Sequence, residues 1–205
     1  MVAVMPRPRV HDPGRVLDAV ESLAARSGPA AVTIRAVSVA TGASNGALYH
    51  GFGSRAGLIA AAWLRAGRRF LDMQRELVDG AHHDAAAAVV AAADTPLQFA
   101  EHHPESSALL LAIRREELLA DDLPDDVAEP LRRLDAELIG LLIRLATAMW
   151  ERRDAAAVDT ITTCVVDLPT AIVLSRNRLG NTVARAQLHA AVRAVLAVGP
   201  EKGVR

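Results

Sequence analysis

Ser44, Asn45, Gly46, Ala47, Tyr49 and His50 place short polar, small and aromatic side chains within seven consecutive positions. A serine at a helix start accepts the amide hydrogen two or three residues on. Residues just after such a cap project from the helix N-terminus. There an Asn can hydrogen-bond a base edge, and a phenol or imidazole can reach a phosphate. Leu48 and Phe52, four apart, turn the other way. The chemistry this spacing allows is recognition of a nucleic-acid groove.

No other cluster of reactive residue types forms a catalytic pattern. His82-His83 and His102-His103 are adjacent pairs, and neighbours on a helix point about 100° apart, so neither pair ligates one ion from one face. Paired across two helices, with Asp84 or Glu101, they could hold a metal. Solvated histidines at helix ends are the plainer reading, and no metal is expected. His189 reads as a surface or interface residue rather than a ligand. Cys164 is the only cysteine, which rules out an intramolecular disulfide and a Cys-rich zinc site. The chain has no Gly-x-Ser-x-Gly elbow, phosphate-binding glycine loop or His-Glu-x-x-His motif. Neither an enzyme nor a cofactor is expected.

The elements that must position the reading residues can be taken in order. A first helix runs from Asp12 to about Arg26, with Pro13 just inside its start, and stops at Gly28-Pro29. Val16, Leu17, Val20, Leu23 and Ala24 form its apolar stripe. Thr33 caps a second helix, with Ile34, Val37 and Val39 inward and Arg35 outward. Its capped N-terminus can bind phosphate, and Arg35 either touches the backbone or is solvated. Gly42-Ala43 supplies the small residues a helix-turn-helix needs where the axes cross. Ser54 caps the next helix, whose Leu58, Ile59, Ala62, Trp63, Ala66, Phe70, Met73 and Leu77 keep helical period for more than 20 residues. One rod therefore links this head to the rest, and tilting its far end moves the reader. Gly57 and Gly67 weaken it by about 1 kcal/mol each and mark possible bends.

These residues carry a family resemblance. Thr33-Ile34-Arg35, Gly42-Ala43-Ser44 and the run Leu48-Tyr49-His50-Gly51-Phe52-Gly53-Ser54-Arg55 resemble the DNA-binding domain of TetR-family transcriptional regulators over residues 12 to about 66. The resemblance implies DNA contacts from Thr33, Arg35, Ser44, Asn45, Gly46, Ala47, Tyr49, His50 and Arg55. Three positions depart from the family pattern. Ala43 stands where Val is usual, Gly51 where His or Tyr is common, and Arg55 replaces Lys while keeping the charge.

Charge and composition agree with such a head. Residues 1–75 hold ten Arg against four acids, whereas the remainder holds 13 basic residues against 20 acidic ones. A basic head on an acidic body suits a module that meets DNA, carried by a body that DNA repels. Residues 1–11 form a proline-broken basic arm with Arg7 and Arg9, free to follow the DNA backbone or minor groove, or simply solvated. It is too short and broken for a secretory signal. The apolar run Ile161 to Leu174 carries Asp167 and Pro169, so no membrane span is expected. A cytoplasmic protein follows.

The rest of the chain reads as helices. An Ala- and Val-rich stretch fills 81–93, a short helix starts at Thr95-Pro96, and another follows Pro104 to about Ala120. An acidic loop occupies 121–126, a long helix runs from Val127 to Trp150, and two more cover about 155–176 and 182–197. Pro169 should kink the first of that pair, and Asp167 beside it needs a partner or a wet edge. The expected fold is all-α. It comprises a flexible arm (1–11), a helix-turn-helix domain (12–53), a linking helix (54–78), a ligand-binding and dimerisation domain (79–199) and a tail (200–205).

The resemblance implies a homodimeric regulator, most often a repressor, released from a palindromic operator by a small-molecule effector. Candidate pocket residues are Trp63, Phe70, Phe99, Leu110, Ile113, Leu142 and Trp150, in a largely aliphatic pocket because aromatics are only 3% of the chain. Candidate dimer residues are Ile161, Cys164, Val165, Leu168, Ile172, Val183, Gln187, Ala190 and Ala194. The alternative is a helical dimeric protein-interaction module with a degenerate head, which Ala43 and Gly51 keep open. A helical-bundle enzyme would need a buried polar cluster in the body, and none is visible in the sequence.

Overall fold

The computed structural model describes residues 12–81, 84–114, 117–118, 123 and 125–201, without the side chains of 125 and 126, and contains no strand among them. The basic arm, His82-His83, most of the acidic loop and the end of the tail lie outside the described residues. The helices are α1 (Pro13–Ser27), α2 (Ile34–Thr41), α3 (Asn45–Phe52), α4 (Arg55–Asp79), α5 (Ala85–His102), α6 (Pro104–Ala112), α7 (Asp125–Trp150), α8 (Ala155–Thr162), α9 (Leu168–Ile172) and α10 (Thr182–Val198).

Each of the first four helices starts on a side-chain cap. Asp12 accepts from the Gly14 amide, Thr33 from Ala36, Ser44 from Ala47 and Ser54 from Gly57. Each such cap stabilises its helix by about 1 kcal/mol. At the turn after α2, Gly42 takes φ 74°, a left-handed conformation that L side chains adopt only with strain. Gly57 answers a different demand. A Cβ there would lie 2.2 Å from the Phe52 carbonyl oxygen, so the tight approach of α3 to α4, and not a bend in the rod, requires it. Val39 is 80% exposed, against the expectation that it packs inward. Two positions after Val37 on an α-helix fall roughly on the opposite side, and Ile34 and Val37 alone fill the inner face.

Two apolar clusters organise the chain. The first joins Val16, Val20, Val37, Ala43, Leu48 and Leu58 with Leu109, Ile113 and Leu118, so α6 and the residues after it complete the core of the head. The second lies in the body, where Val89, Leu97, Leu145, Ile161, Leu188 and Val192 are all almost fully buried.

The body departs from the sequence expectations at its prolines. Helix α5 runs unbroken through Thr95-Pro96, where a new helix was expected. Pro96 has no N–H to return to the Ala92 carbonyl four residues earlier. The buried Gln74 of α4 instead donates its Nε2–H to that oxygen at 3.1 Å. Helix α6 stops at Ala112, short of the expected Ala120. Residues Thr163–Asp167 form a π-helical turn in which the Leu168 amide reaches back to the Thr163 carbonyl. This inserted residue lets the chain accept Pro169 and continue, and Asp167 is exposed at its wet edge. By length and composition alone the 22 residues from Ala155 to Arg176 would suffice to cross a membrane, and 33% of their apolar window is buried within the chain.

Candidate nucleic-acid interface and cavity

The candidate reading residues sit on a scaffold with little freedom. Around the turn, Ser38 donates its hydroxyl to the Ala43 carbonyl at 2.6 Å, Thr41 donates to the Val37 carbonyl, and the Ala43 amide donates to the Thr41 hydroxyl. Ala43 is 2% exposed, so the smaller side chain still sits in a closed turn. Only Leu48 of α3 is buried. Ser44, Asn45, Gly46, Ala47, Tyr49 and His50 all face outward, as do Thr33 and Arg35 at the start of α2. All eight of these sequence-predicted contacts are thus exposed, at the start of α2 and along α3.

Arg55 is engaged elsewhere. Its Nε–H donates to the Val32 carbonyl at 2.5 Å and a terminal nitrogen to Pro29 at 2.7 Å, tying the start of α4 to the loop before α2. These bonds give Arg55 a positioning role within the head. The basic excess of the head is also smaller at the surface than in the sequence. Arg65 and Arg69 both pair with Glu21, and Arg75 pairs with Asp72 and Glu137.

Glu21 is the residue that sequence reasoning missed. It is 3% exposed, takes Arg65 at 2.7 Å and 3.0 Å, and accepts the Ser106 hydroxyl at 2.6 Å. Arg69 in turn reaches both Glu21 and Ser106. One carboxylate therefore pins α1 and α4 to α6. The signal was available, because Glu21 interrupts the apolar stripe of α1 between Val20 and Ala24.

An adjoining face of α6 walls a cavity of about 250 Å³. Trp63, Gly67, Phe70 and Leu71 of α4, Pro96 and Phe99 of α5, and Leu134, Asp135 and Leu138 of α7 complete it with Leu174. Ser107, Leu110 and Leu111 come from α6 itself. Of the seven expected pocket residues, Trp63, Phe70, Phe99 and Leu110 line it. Ile113 does not, because its side chain belongs to the core of the head, although its carbonyl accepts the Trp63 indole N–H at 3.0 Å. Leu142 is packed in the core of the body, and Trp150 stands against it near Gly199. A second hollow of about 460 Å³, edged by Asp79, Asp84 and Arg144, touches no residue of α6.

Further back, Asp94 of α5 is 3% exposed and receives Arg185 and His189 of α10, His189 at 2.7 Å, together with Gln98. Burial works to raise the pKa of Asp94. The hydrogen bonds from Arg185, His189 and Gln98 outweigh it and hold the carboxyl below the usual range. The body thus has a polar cluster around the buried Asp94 that the sequence reading did not foresee, with the half-buried His189 as a member. None of its residues lines the cavity, and its groups are mutually satisfied, which marks it as a brace. Among the described residues, no group of His, Cys, Asp and Glu is arranged to hold a metal ion. His102 contacts the Gln98 carbonyl, and His103 lies against Phe99.

The expected dimer residues divide. Ile161, Cys164 and Val165 are buried in the core of the chain itself, and burial pushes the Cys164 thiol up to about 11. Leu168 and Ile172 are half-buried against the same core. Val183, Gln187, Ala190 and Ala194 face outward from α10, Val183 at 64% exposure. Ala157 and Ile161 form the buried stripe of α8, and Cys164 and Val165 continue it into the π turn.

Comparison with known proteins places this geometry. Residues 16–62 match the family model of bacterial regulatory proteins, tetR family. The ketosteroid transcriptional regulator KstR2 of Mycobacterium tuberculosis superposes with a TM-score of 0.64 at 16% identity, over 98% of this chain and 100% of that one. The TetR-family transcriptional regulator PfmR from Thermus thermophilus gives 0.67 at 17% identity over 92% and 100%. The fatty acid degradation regulator FadR from Bacillus halodurans gives 0.64 at 13% over 95% and 100%. No curated protein matches the sequence. Residues 16–62 thus resemble the DNA-binding domain of that family, and the chain as a whole has the fold of TetR-family transcriptional regulators.

Proposed function

We propose that the protein is a cytoplasmic, homodimeric repressor whose α3 reads the major groove of a palindromic operator and whose cavity takes a small-molecule effector that releases it. One observation carries the coupling. Ser106 and Leu109 of α6 hold the head, while Ser107, Leu110 and Leu111 of the same helix wall the cavity. A ligand that displaces α6 moves α1 and α4 through Glu21, and so shifts the population of head spacings that fit DNA. The outward Val183, Gln187, Ala190 and Ala194 supply a face for a second copy, beside the largely uncovered apolar stretch from Ala155 to Arg176.

The test is a gel-shift titration against the DNA upstream of the gene at two salt concentrations with non-specific competitor. A discrete complex whose affinity falls steeply with salt is expected. Tyr49→Ala should weaken that complex by about tenfold while leaving the dimer intact. Equal affinity for every sequence tried would favour the interaction-module alternative. Arg55→Ala is the poorer probe, because it also cuts the tie from α4 to the Val32 and Pro29 carbonyls.

A further inference from the structure

Aromatic residues are scarce in this chain, yet Trp63, Phe70 and Phe99, half of the six present, converge on one cavity. Phe70 meets Phe99 edge to face with ring centroids 5.4 Å apart. The Trp63 N–H already donates to the Ile113 carbonyl, so that ring offers the cavity only apolar surface. Asp135, the one ionisable side chain on the wall, is already partnered within the chain. Among the described residues no Arg, Lys or His lines the space, and Ser107 is its only hydroxyl.

We propose that the cavity takes an uncharged, apolar effector with a single hydrogen-bonding group, such as a medium-chain alcohol or ketone. Its polar end meets Ser107, and its body lies between the three aromatic rings and the leucines of α7. This rests on reading the cavity as the effector site. A carboxylate entering would leave water with no cation to receive it, which is a large cost in an apolar surround. An ammonium would meet aromatic rings, but their attraction does not replace its hydration, and the only carboxylate there is already engaged.

The two tryptophans make the test direct. Trp63 lines the cavity and Trp150 does not, so the full-length Trp150→Phe protein reports on the cavity through Trp63 alone. It is titrated at neutral pH with 1-octanol, octanoate and n-octylamine. Saturable 1-octanol binding is expected, with octanoate and octylamine weaker by about tenfold or more. Ser107→Ala should weaken 1-octanol by about threefold to tenfold with an unchanged helical spectrum. The proposal is overturned if either charged probe binds within about threefold of 1-octanol, or if none of the three binds. A parallel gel shift separates this from the function itself. Binding of 1-octanol with an unaltered DNA complex upholds the ligand class and overturns effector release.

Discussion

In the head, α1, α2, α3 and the start of α4 each begin on a side-chain cap, the turn at Gly42-Ala43 is closed by three side-chain hydrogen bonds, and one apolar cluster fills the middle. The body is less regular. It carries prolines inside α5 and α7, a π turn before α9, and a Gln74 Oε1 that is buried without a partner among the described residues. The difference follows from what each part holds. A reading surface has to be held in one shape, whereas a cavity exists only where helices fail to close on one another. Gly67 marks where the closure does occur at the cavity's edge, since a Cβ there would press on Leu134 of α7 at 3.0 Å.

The contrast is sharpest where the two parts meet. Glu21→Ala should cost about 3–4 kcal/mol, because it leaves Arg65 and Ser106 facing an empty buried site. Urea denaturation followed by tryptophan emission reads this directly. A loss below about 1 kcal/mol would mean that the head rests on α6 through apolar packing alone. Next in size is the brace within the body. Asp94→Asn should cost about 2–3 kcal/mol. Because the folded carboxyl titrates below its unfolded value, its contribution is complete above about pH 4 and is lost as pH falls through the lower folded value. The melting temperature of the variant should therefore fall less steeply than that of the parent between neutral pH and pH 3. Parallel curves would remove Asp94 as the source of the acid response.

What was legible in the sequence follows the same division. Caps, glycines and apolar spacing are local signals, and the head is built from them, so α1 to α4 and the outward α3 residues could be read directly. In the body the deciding contacts span long separations. Gln74 donates to a carbonyl on another helix that Pro96 leaves without its usual donor, and Asp94 meets residues some ninety positions away. Spacing within α5 cannot reveal a donor on α4. The Ile161, Cys164 and Val165 stripe was visible as apolar, but the sequence does not say whether its own protomer or a copy covers it. Trp150 stands away from the cavity for a related reason, since aromatic type marks burial without marking which space is left open.

The Gln74 arrangement tests the rule-breaking side of the contrast on a smaller scale. Gln74→Leu should cost about 1–2 kcal/mol by leaving the Ala92 carbonyl without its donor. In a Pro96→Ala background the backbone amide restored by that substitution can serve the carbonyl, and the cost of Gln74→Leu should fall by about half or more. Additive losses in the double-mutant cycle would show that the side chain acts through packing and not through the proline.

The smallest expected effect compares a cap in each part. Ser44 caps α3, eight residues with a single buried side chain, and Asn181 caps the seventeen residues of α10, four of which are buried. Ser44→Ala and Asn181→Ala should each lower stability by about 1 kcal/mol, since each leaves one amide without its side-chain acceptor. Their effects on DNA should differ. Losing the Ser44 cap frees the first turn of α3, where Asn45, Gly46 and Ala47 stand exposed with little packing to restore their positions. Operator affinity should then fall by severalfold beyond the stability loss. Losing the Asn181 cap frees the start of a helix still held by Leu188, Val192 and the Arg185 link to Asp94, far from the reading edge. Paired thermal melts and gel shifts on the two variants read both quantities. Equal DNA affinities at equal stability loss would mean that α3 is ordered by the turn at Gly42-Ala43 and by Leu48, with its N-terminal cap adding nothing to how it reads DNA.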